Sequence, residues 1–340
     1  MASRAFQALL NKKPFQFEYR WAVAALAAVA WLASPIDARA AAAGGNPEAV
    51  SGSTPPQNVQ DVNPQAPPVY PTNWFDSGKL LATAGVSEVE GAGGGGLAPW
   101  ALITGYGTQN AIGANVHATY VPLSNFTLIT EGLAVGLFDR VEISGARQAF
   151  DTGTTGSKLG LGNGFTFHQN VFGAKVKLIG DAVYNQDSWL PQIAFGVQYK
   201  TDDQGAVIHA IGGRETHGVD YYLSATKVFL GESLLANITI RETKANQFGI
   251  LGFGGDKDDS YSTEFEGSLA LLLTKQIAVG AEYRTKPDNL GFAREQNTAD
   301  IFFAFFLNKN ISATLACVDL GSIATFKDQR GAYLSLQVGF

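Results

Sequence analysis

The chain has 340 residues, 39 of them glycine, and 24 basic against 30 acidic side chains, for a formal net charge of −6. That balance leaves no basic patch for nucleic acid, and the single cysteine, Cys317, excludes an internal disulfide framework and any cysteine-based metal cluster. Beyond the leader, no apolar run approaches the roughly 18 residues of a membrane-crossing helix, so any crossing has to use strands.

In chain order, Arg4, Lys12, Lys13 and Arg20 form a basic leader ahead of the uninterrupted apolar run from Trp21 to Ala33. A breaker, Ser34-Pro35, and the small-x-small sequence Ala38-Arg39-Ala40 follow. This is the layout of a secretory signal peptide over residues 1–40, cleaved after Ala40. No cysteine lies near that point, so no lipid anchor is expected. Residues 41–75 are rich in Pro, Ala, Gly, Asn and Gln and poor in large apolar side chains. Such a composition cannot offset its own ordering entropy, which predicts a disordered periplasmic linker.

The stretch EGAGGGGLAPW, 90–100, contains Gly91, Gly93, Gly94, Gly95 and Gly96 and satisfies G-x-G-x-x-G. A dinucleotide turn needs a helix after the third glycine and an acidic residue about twenty positions on. Here Leu97-Ala98-Pro99-Trp100 leads into the strand-like ALITGYG, and no Lys-Ser or Lys-Thr makes a Walker loop. No nucleotide and no cofactor are expected. The glycines read instead as a wide turn between two strands, near 78–90 and 98–107, or as a chain segment folded close against the barrel wall, with Trp100 at a strand end suited to an aromatic girdle.

From residue 76 onward apolar and polar residues alternate with period two, the pattern of strands with two unlike faces. Ile193, Phe195, Val197 and Tyr199 oppose Ala194, Gly196, Gln198 and Lys200, and Ile277, Val279, Ala281 and Tyr283 oppose Ala278, Gly280, Glu282 and Arg284. Twelve strands follow, near 111–121, 125–137, 140–150, 168–180, 189–200, 218–229, 233–244, 260–272, 276–286, 298–307, 310–318 and 330–340. Tight turns such as that in LFDRVEISGAR alternate with long polar loops (151–164, 201–217, 245–259, 287–297 and 319–329). In an up-and-down sheet that asymmetry is the mark of a transmembrane β-barrel. The two strands beside the glycine run raise the expected total to fourteen, with twelve as the fallback, in one antiparallel barrel over 76–340. The glycine loop then lies on the outer side or folds into the mouth of the lumen.

The last strand, GAYLSLQVGF, sets Ala332, Leu334, Leu336, Val338 and Phe340 against Gly331, Tyr333, Ser335, Gln337 and Gly339. Tyr333, Leu334, Leu336, Val338 and the terminal Phe340 together resemble the signal read by the barrel assembly machinery of bacterial outer membranes. The expected location is the outer membrane of a Gram-negative bacterium, with lipid and, during biogenesis, that machinery as partners.

Carried along the strands, the alternation places twelve charged residues inside: Arg140, Glu142, Lys175, Lys177, Lys200, Asp220, Arg241, Glu264, Glu266, Glu282, Arg284 and Asp300. Six are acidic and six basic, which fits either paired charges that fill the interior or a water channel of little ion selectivity. Glu131 breaks the phase: either a bulge between Thr130 and Gly132 returns it to the interior or the register differs there.

Catalytic chemistry finds little support. The histidines are His117, His168, His209 and His217, and no serine sits in a G-x-S-x-G elbow. His209 and His217 with Asp202, Asp203, Glu215 and Asp220 read as a solvated loop rather than a metal site. GGDKDDSYS, 254–262, lacks the calcium-loop pattern.

The stretches SGKLLATAGVSEVEGAGGGGLAPWALITGYG, 77–107, and VGLFDRVEIS, 135–144, resemble the hallmark region of an uncharacterised proteobacterial outer-membrane family, domain of unknown function 3034. The resemblance implies an outer-membrane barrel and brings no substrate, partner or catalytic residue. The sequence therefore predicts a passive porin-like channel or transporter for small solutes. A plugged structural or surface-interaction barrel is the alternative, and a lipid-modifying barrel enzyme a remote one.

Overall fold

A strand whose every second side chain is large and apolar needs an apolar medium on that face, and the intervening polar residues need partners on the other. Closing such strands into a ring meets both demands and leaves no unpaired edge. The computed structural model describes residues 74–75 and 77–340, and twelve of its strands close into an antiparallel barrel. Two short strands come first, β1 (Val86–Ser87) and β2 (Gly93–Gly94). The barrel is then β3 (Ile112–Pro122), β4 (Thr127–Leu137), β5 (Val141–Asp151), β6 (Thr166–Ile179), β7 (Gln192–Asp202) and β8 (His217–Phe229), followed by β9 (Leu234–Thr243), β10 (Ser262–Thr274), β11 (Ile277–Arg284), β12 (Thr298–Phe306), β13 (Ile311–Asp319) and β14 (Arg330–Gly339). The signal peptide expected over 1–40, with cleavage after Ala40, and the expected linker up to residue 73 lie outside the described residues.

Each strand pairs with its successor, and β14 pairs with β3 from Leu334↔Tyr120 to Gly339↔Asn115. The last residue completes the seam: Phe340 N donates to Ala114 O at 3.0 Å and Ala114 N to Phe340 O at 2.9 Å. The start of β3 and the end of β14 therefore share one end of the barrel. The connections at that end include 138–140, 230–233, 275–276 and 307–310, while the opposite end carries 152–165, 203–216, 244–261, 285–297 and 320–329. Two connections run against the trend, 123–126 at the long-loop end and 180–191 at the other.

The two faces are inverted relative to a water-soluble protein. Ile143, Phe172, Leu223, Ile238, Leu269, Ile301, Leu315 and Leu334 are exposed on the outside, while Lys175, Lys200, Asp220, Arg241 and Glu266 are buried inside. That is the surface of a barrel that sits in lipid.

Fourteen strands are not formed; the barrel has the fallback number, twelve. Of residues 78–90 only Val86–Ser87 form a strand, paired with Gly93–Gly94 of the glycine run itself (Val86 opposite Gly94, Ser87 opposite Gly93), and 98–107 form none. They are too rich in Ala, Gly and Thr to offer lipid a continuous apolar face, and from Thr83 through Tyr106 every residue but Gly85 is buried. The segment folds into the lumen as a plug. Trp100, expected in a girdle at the membrane surface, is buried there too, at 4% exposure. The bulge expected at Glu131 is also absent, since β4 pairs in unbroken register with both neighbours from Thr127 to Leu137. Glu131 stays on the outer face.

Candidate functional site in the lumen

The plug meets the wall through charge and through its own backbone. Glu90 lies fully buried among three wall cations. It pairs with Lys200, accepts from Arg284 Nη1 at 2.9 Å and stands 3.7 Å from Arg241 Nη2. The wall brings two carboxylates to the same cluster: Asp220, 2.6 Å from Lys200 and 3.3 Å from Arg241, and Glu266, bonded to Arg241 and 3.3 Å from Arg284. Lys200, Arg241 and Arg284 thus face only Asp220 and Glu266 until the plug adds its carboxylates. Glu88 opens the turn that carries Glu90, with Gly91 N donating to Glu88 O at 3.0 Å, and its carboxylate accepts from Gln198 Nε2 at 2.6 Å.

The glycine run is held by carboxylates of the wall. Glu142 Oε1 accepts from Gly93 N and its Oε2 from Thr104 N, both at 2.9 Å. Glu282 Oε2 accepts from Gly96 N at 2.6 Å and Leu97 N at 2.8 Å. Consecutive backbone amides are an anion cradle, and here the anions come from the barrel itself. The absence of side chains is what permits the approach: a Cβ on Gly95 would lie 1.9 Å from Glu282 Oε1, and one on Gly93 2.9 Å from Glu142 Oε2.

Lys175 Nζ sits 3.1 Å from Glu142 and donates to Gly93 O at 2.8 Å and Trp100 O at 3.0 Å. Trp100 Nε1 donates to Ser268 Oγ at 2.9 Å, and Ser268 Oγ to Glu282 Oε1 at 2.6 Å. Around the bend that follows, Ala101 N donates to Thr226 Oγ1 at 2.7 Å, while Pro99 O accepts from Thr239 Oγ1 at 2.8 Å. Buried polar groups need such partners, and the plug's main chain finds them on strand after strand of the wall.

At the long-loop end the β9–β10 connection turns inward. Gln247 and Phe248 adopt positive φ of 46° and 61°, and Phe248 is buried with its ring 4.3 Å from the Arg284 guanidinium carbon. Phe248 O accepts from Gln169 Nε2 at 3.2 Å and Lys200 Nζ at 3.3 Å. Above it, Lys286 and Glu295 of the loop 285–297 pair at 3.2 Å, and Gln247 joins them. Burial pushes the Lys286 amine down and the Glu295 carboxyl up, each opposed by its partner's charge. Between the plug and the wall of β9 to β12 lies a cavity of about 30 Å³ lined by apolar residues including Val86, Trp100, Phe302 and Phe306. A space of that size holds a single water at most.

Of the residues anticipated inside, Glu142, Lys175, Lys177, Lys200, Asp220, Arg241, Glu266, Glu282, Arg284 and Asp300 are buried. Lys200, Asp220, Arg241, Glu266 and Arg284 form the central cluster, and Lys177 instead pairs with Asp139 at 2.8 Å near the short-turn end. Glu264 is half-buried toward the long-loop end. Arg140, expected inside, lies exposed in the β4–β5 turn, where the strand alternation no longer governs direction. Asp300 is buried with neither carboxylate oxygen bonded among the described residues. Gln198 lies on the inward face that the alternation gave it, whereas Glu88 and Glu90 join the lumen without having been singled out by the alternation; the available signal was two carboxylates, two apart, directly before a glycine run.

In the last strand Tyr333 points inward and is buried, Leu334, Leu336 and Phe340 are exposed, and Val338 is buried at the seam. Among the histidines, His117 is buried with neither ring nitrogen hydrogen-bonded among the described residues. His168 Nδ1 bonds Asp203 at 3.0 Å, His209 Nδ1 lies 3.1 Å from Gly213 O, and the His217 ring is 6.3 Å from that of Tyr199. Among the described residues, no serine hydroxyl bonds any of these rings.

The family described as "Protein of unknown function (DUF3034)" matches residues 83–337. No curated protein matches the chain. Among solved structures, a KdgM porin is similar at TM-score 0.43 and 9% identity, over 66% of this chain and 99% of the porin. An outer-membrane channel from Pseudomonas putida F1 is similar at TM-score 0.40 and 10% identity, over 67% of this chain and 95% of that one. The outer-membrane phospholipase A from Escherichia coli is similar at TM-score 0.37 and 9% identity, over 69% of this chain and 94% of that one.

Proposed function

The chain belongs to the family described as protein of unknown function (DUF3034), and because that membership carries no activity we propose one from the lumen: an integral outer-membrane β-barrel held shut by its own N-proximal segment, a structural or surface-interaction barrel without conductance at rest. The observation that carries this reading is Glu90, fully buried and bound by Lys200 and Arg284 of the wall. Without that carboxylate, cations that stay buried are left uncompensated, which is strongly destabilising. The polar interior that would line a channel is taken up by the plug.

Export by a signal peptide cleaved after Ala40, and assembly through the terminal strand ending in Phe340, belong to the same reading. Lipid on the outside follows from the exposed apolar belt. No catalytic role is assigned, since His117 has no hydroxyl bonded to it and His168 is engaged by Asp203 on the outer face.

A passive channel or transporter for small solutes is the second reading. It is favoured by one feature: the plug meets the wall through polar contacts, so water and ions can take over its partners if it moves. Efflux of a small sugar from liposomes separates the two. The intact protein should leave the sugar trapped, and rapid efflux through folded, inserted protein would reverse the order of the readings.

A further inference from the structure

The outer face carries one pair of charges well away from the strand ends. Glu131 of β4 and Arg147 of β5 lie directly opposite each other in register, both pointing outward. Ala118 of β3 and Asn170 of β6 continue the row on either side. On β3 to β5 the neighbouring rows are apolar or small, Tyr120, Ile129 and Ala149 toward the long-loop end and Val116, Leu133 and Gly145 toward the other; on β6 they end at His168, bonded to Asp203, and at Phe172. The rise along β5 from Val141, at about 3.3 Å per residue and a tilt near 40°, places Arg147 ~15 Å above the turn, inside an apolar band ~25 Å tall.

Other outward charges lie near the strand ends and are bonded. Glu242 accepts from Thr263 at 2.6 Å, and Asp319 from Arg330 at 2.7 Å. The side chains of Glu131 and Arg147 make no hydrogen bond or ion pair among the described residues. Charge facing lipid at this depth is costly, and the cost falls away only toward the interfaces.

We propose that this face of β3 to β6 binds a second copy of the chain, about a two-fold axis along the membrane normal passing between β4 and β5. The rotation keeps depth and reverses left and right, so Glu131 faces Arg147 of the partner subunit and Arg147 faces Glu131 of the partner subunit. A side-by-side Glu and Arg at one depth is self-complementary under that operation, which is what an isologous contact requires. Ala118, Gly145 and Ala149 carry little side chain, so the two walls can approach closely enough for the charges to meet out of lipid. A contact of this kind closes at two copies. It is independent of whether the lumen conducts.

The test is the mass of the full-length mature protein in mild detergent and in lipid nanodiscs wide enough for two barrels. The intact protein should be dimeric. Arg147→Glu opposes like charges at both symmetric contacts and should raise the dimer dissociation constant about a hundredfold or more, and Arg147→Ala should weaken it less. The double variant Glu131→Arg/Arg147→Glu should restore the dimer, with folding of every variant checked by faster gel migration unboiled than boiled. A monomeric intact protein, a dimer indifferent to Arg147→Glu, or a double variant that stays monomeric would each overturn the proposal. So would a monomer that retains phosphorylated lipid through Arg147, which assigns the face to lipid.

Discussion

At the scale of single residues, the glycine run and the two glutamates before it change meaning together. Gly91 to Gly96 satisfy a phosphate-binding pattern because exposed amides suit any anion, and in this fold the anions are Glu142 and Glu282. Gly95→Ala would drive a methyl into Glu282 and break its bonds to Gly96 N and Leu97 N. Stranded buried groups cost ~1–3 kcal/mol each, so the unfolding midpoint should fall, as read by the temperature at which the fast-migrating folded band is lost. Glu90→Gln leaves Lys200, Arg241 and Arg284 against Asp220 and Glu266 in a buried site. Breaking a buried pair on one side costs ~3–5 kcal/mol, so the loss should exceed that of Gly95→Ala in the same measurement. An unchanged midpoint for Glu90→Gln would mean that the cluster does not hold the plug.

At the scale of elements, twelve strands are legible because each is written against two media, lipid and lumen, and period two is the imprint of that difference. The unbroken alternation of β7 and β11 sits close to where the sequence places it. The plug is not legible for the same reason. Residues 83–107 are enclosed by the wall, so they have no two-sided pattern to display, and many of their contacts run through backbone amides that leave no trace in side-chain periodicity. Trp100 misleads because an aromatic at a strand end reads as a girdle residue, whereas its indole N–H bonds Ser268 in the interior. Arg140 marks where alternation stops, one residue before β5 begins at Val141. At the seam, Phe340 supplies both an amide and a carbonyl to Ala114 and accepts from Tyr106 N of the plug at 3.0 Å. Removing Phe340 should lower the yield of folded, membrane-inserted protein in cells. Normal insertion without it would detach the terminal residue from assembly.

At the scale of the whole molecule, the barrel is a wall built to face lipid whose polar interior is occupied by its own chain. The wall charges alone suit either an aqueous channel or a filled interior. What decides between them is the pair Glu88 and Glu90, which the wall sequence does not contain. Deleting residues 77–107 should leave Lys200, Arg241 and Arg284 without Glu90 and admit water to the lumen below the inward β9–β10 connection. The variant should conduct if it folds, and its folding can be checked by the same gel shift. The most direct measurement is a planar-bilayer recording of the purified, full-length mature protein, with insertion verified. A plugged barrel predicts no discrete conductance steps from the intact chain; regular steps from it at modest voltage would contradict the claim that the plug closes the barrel.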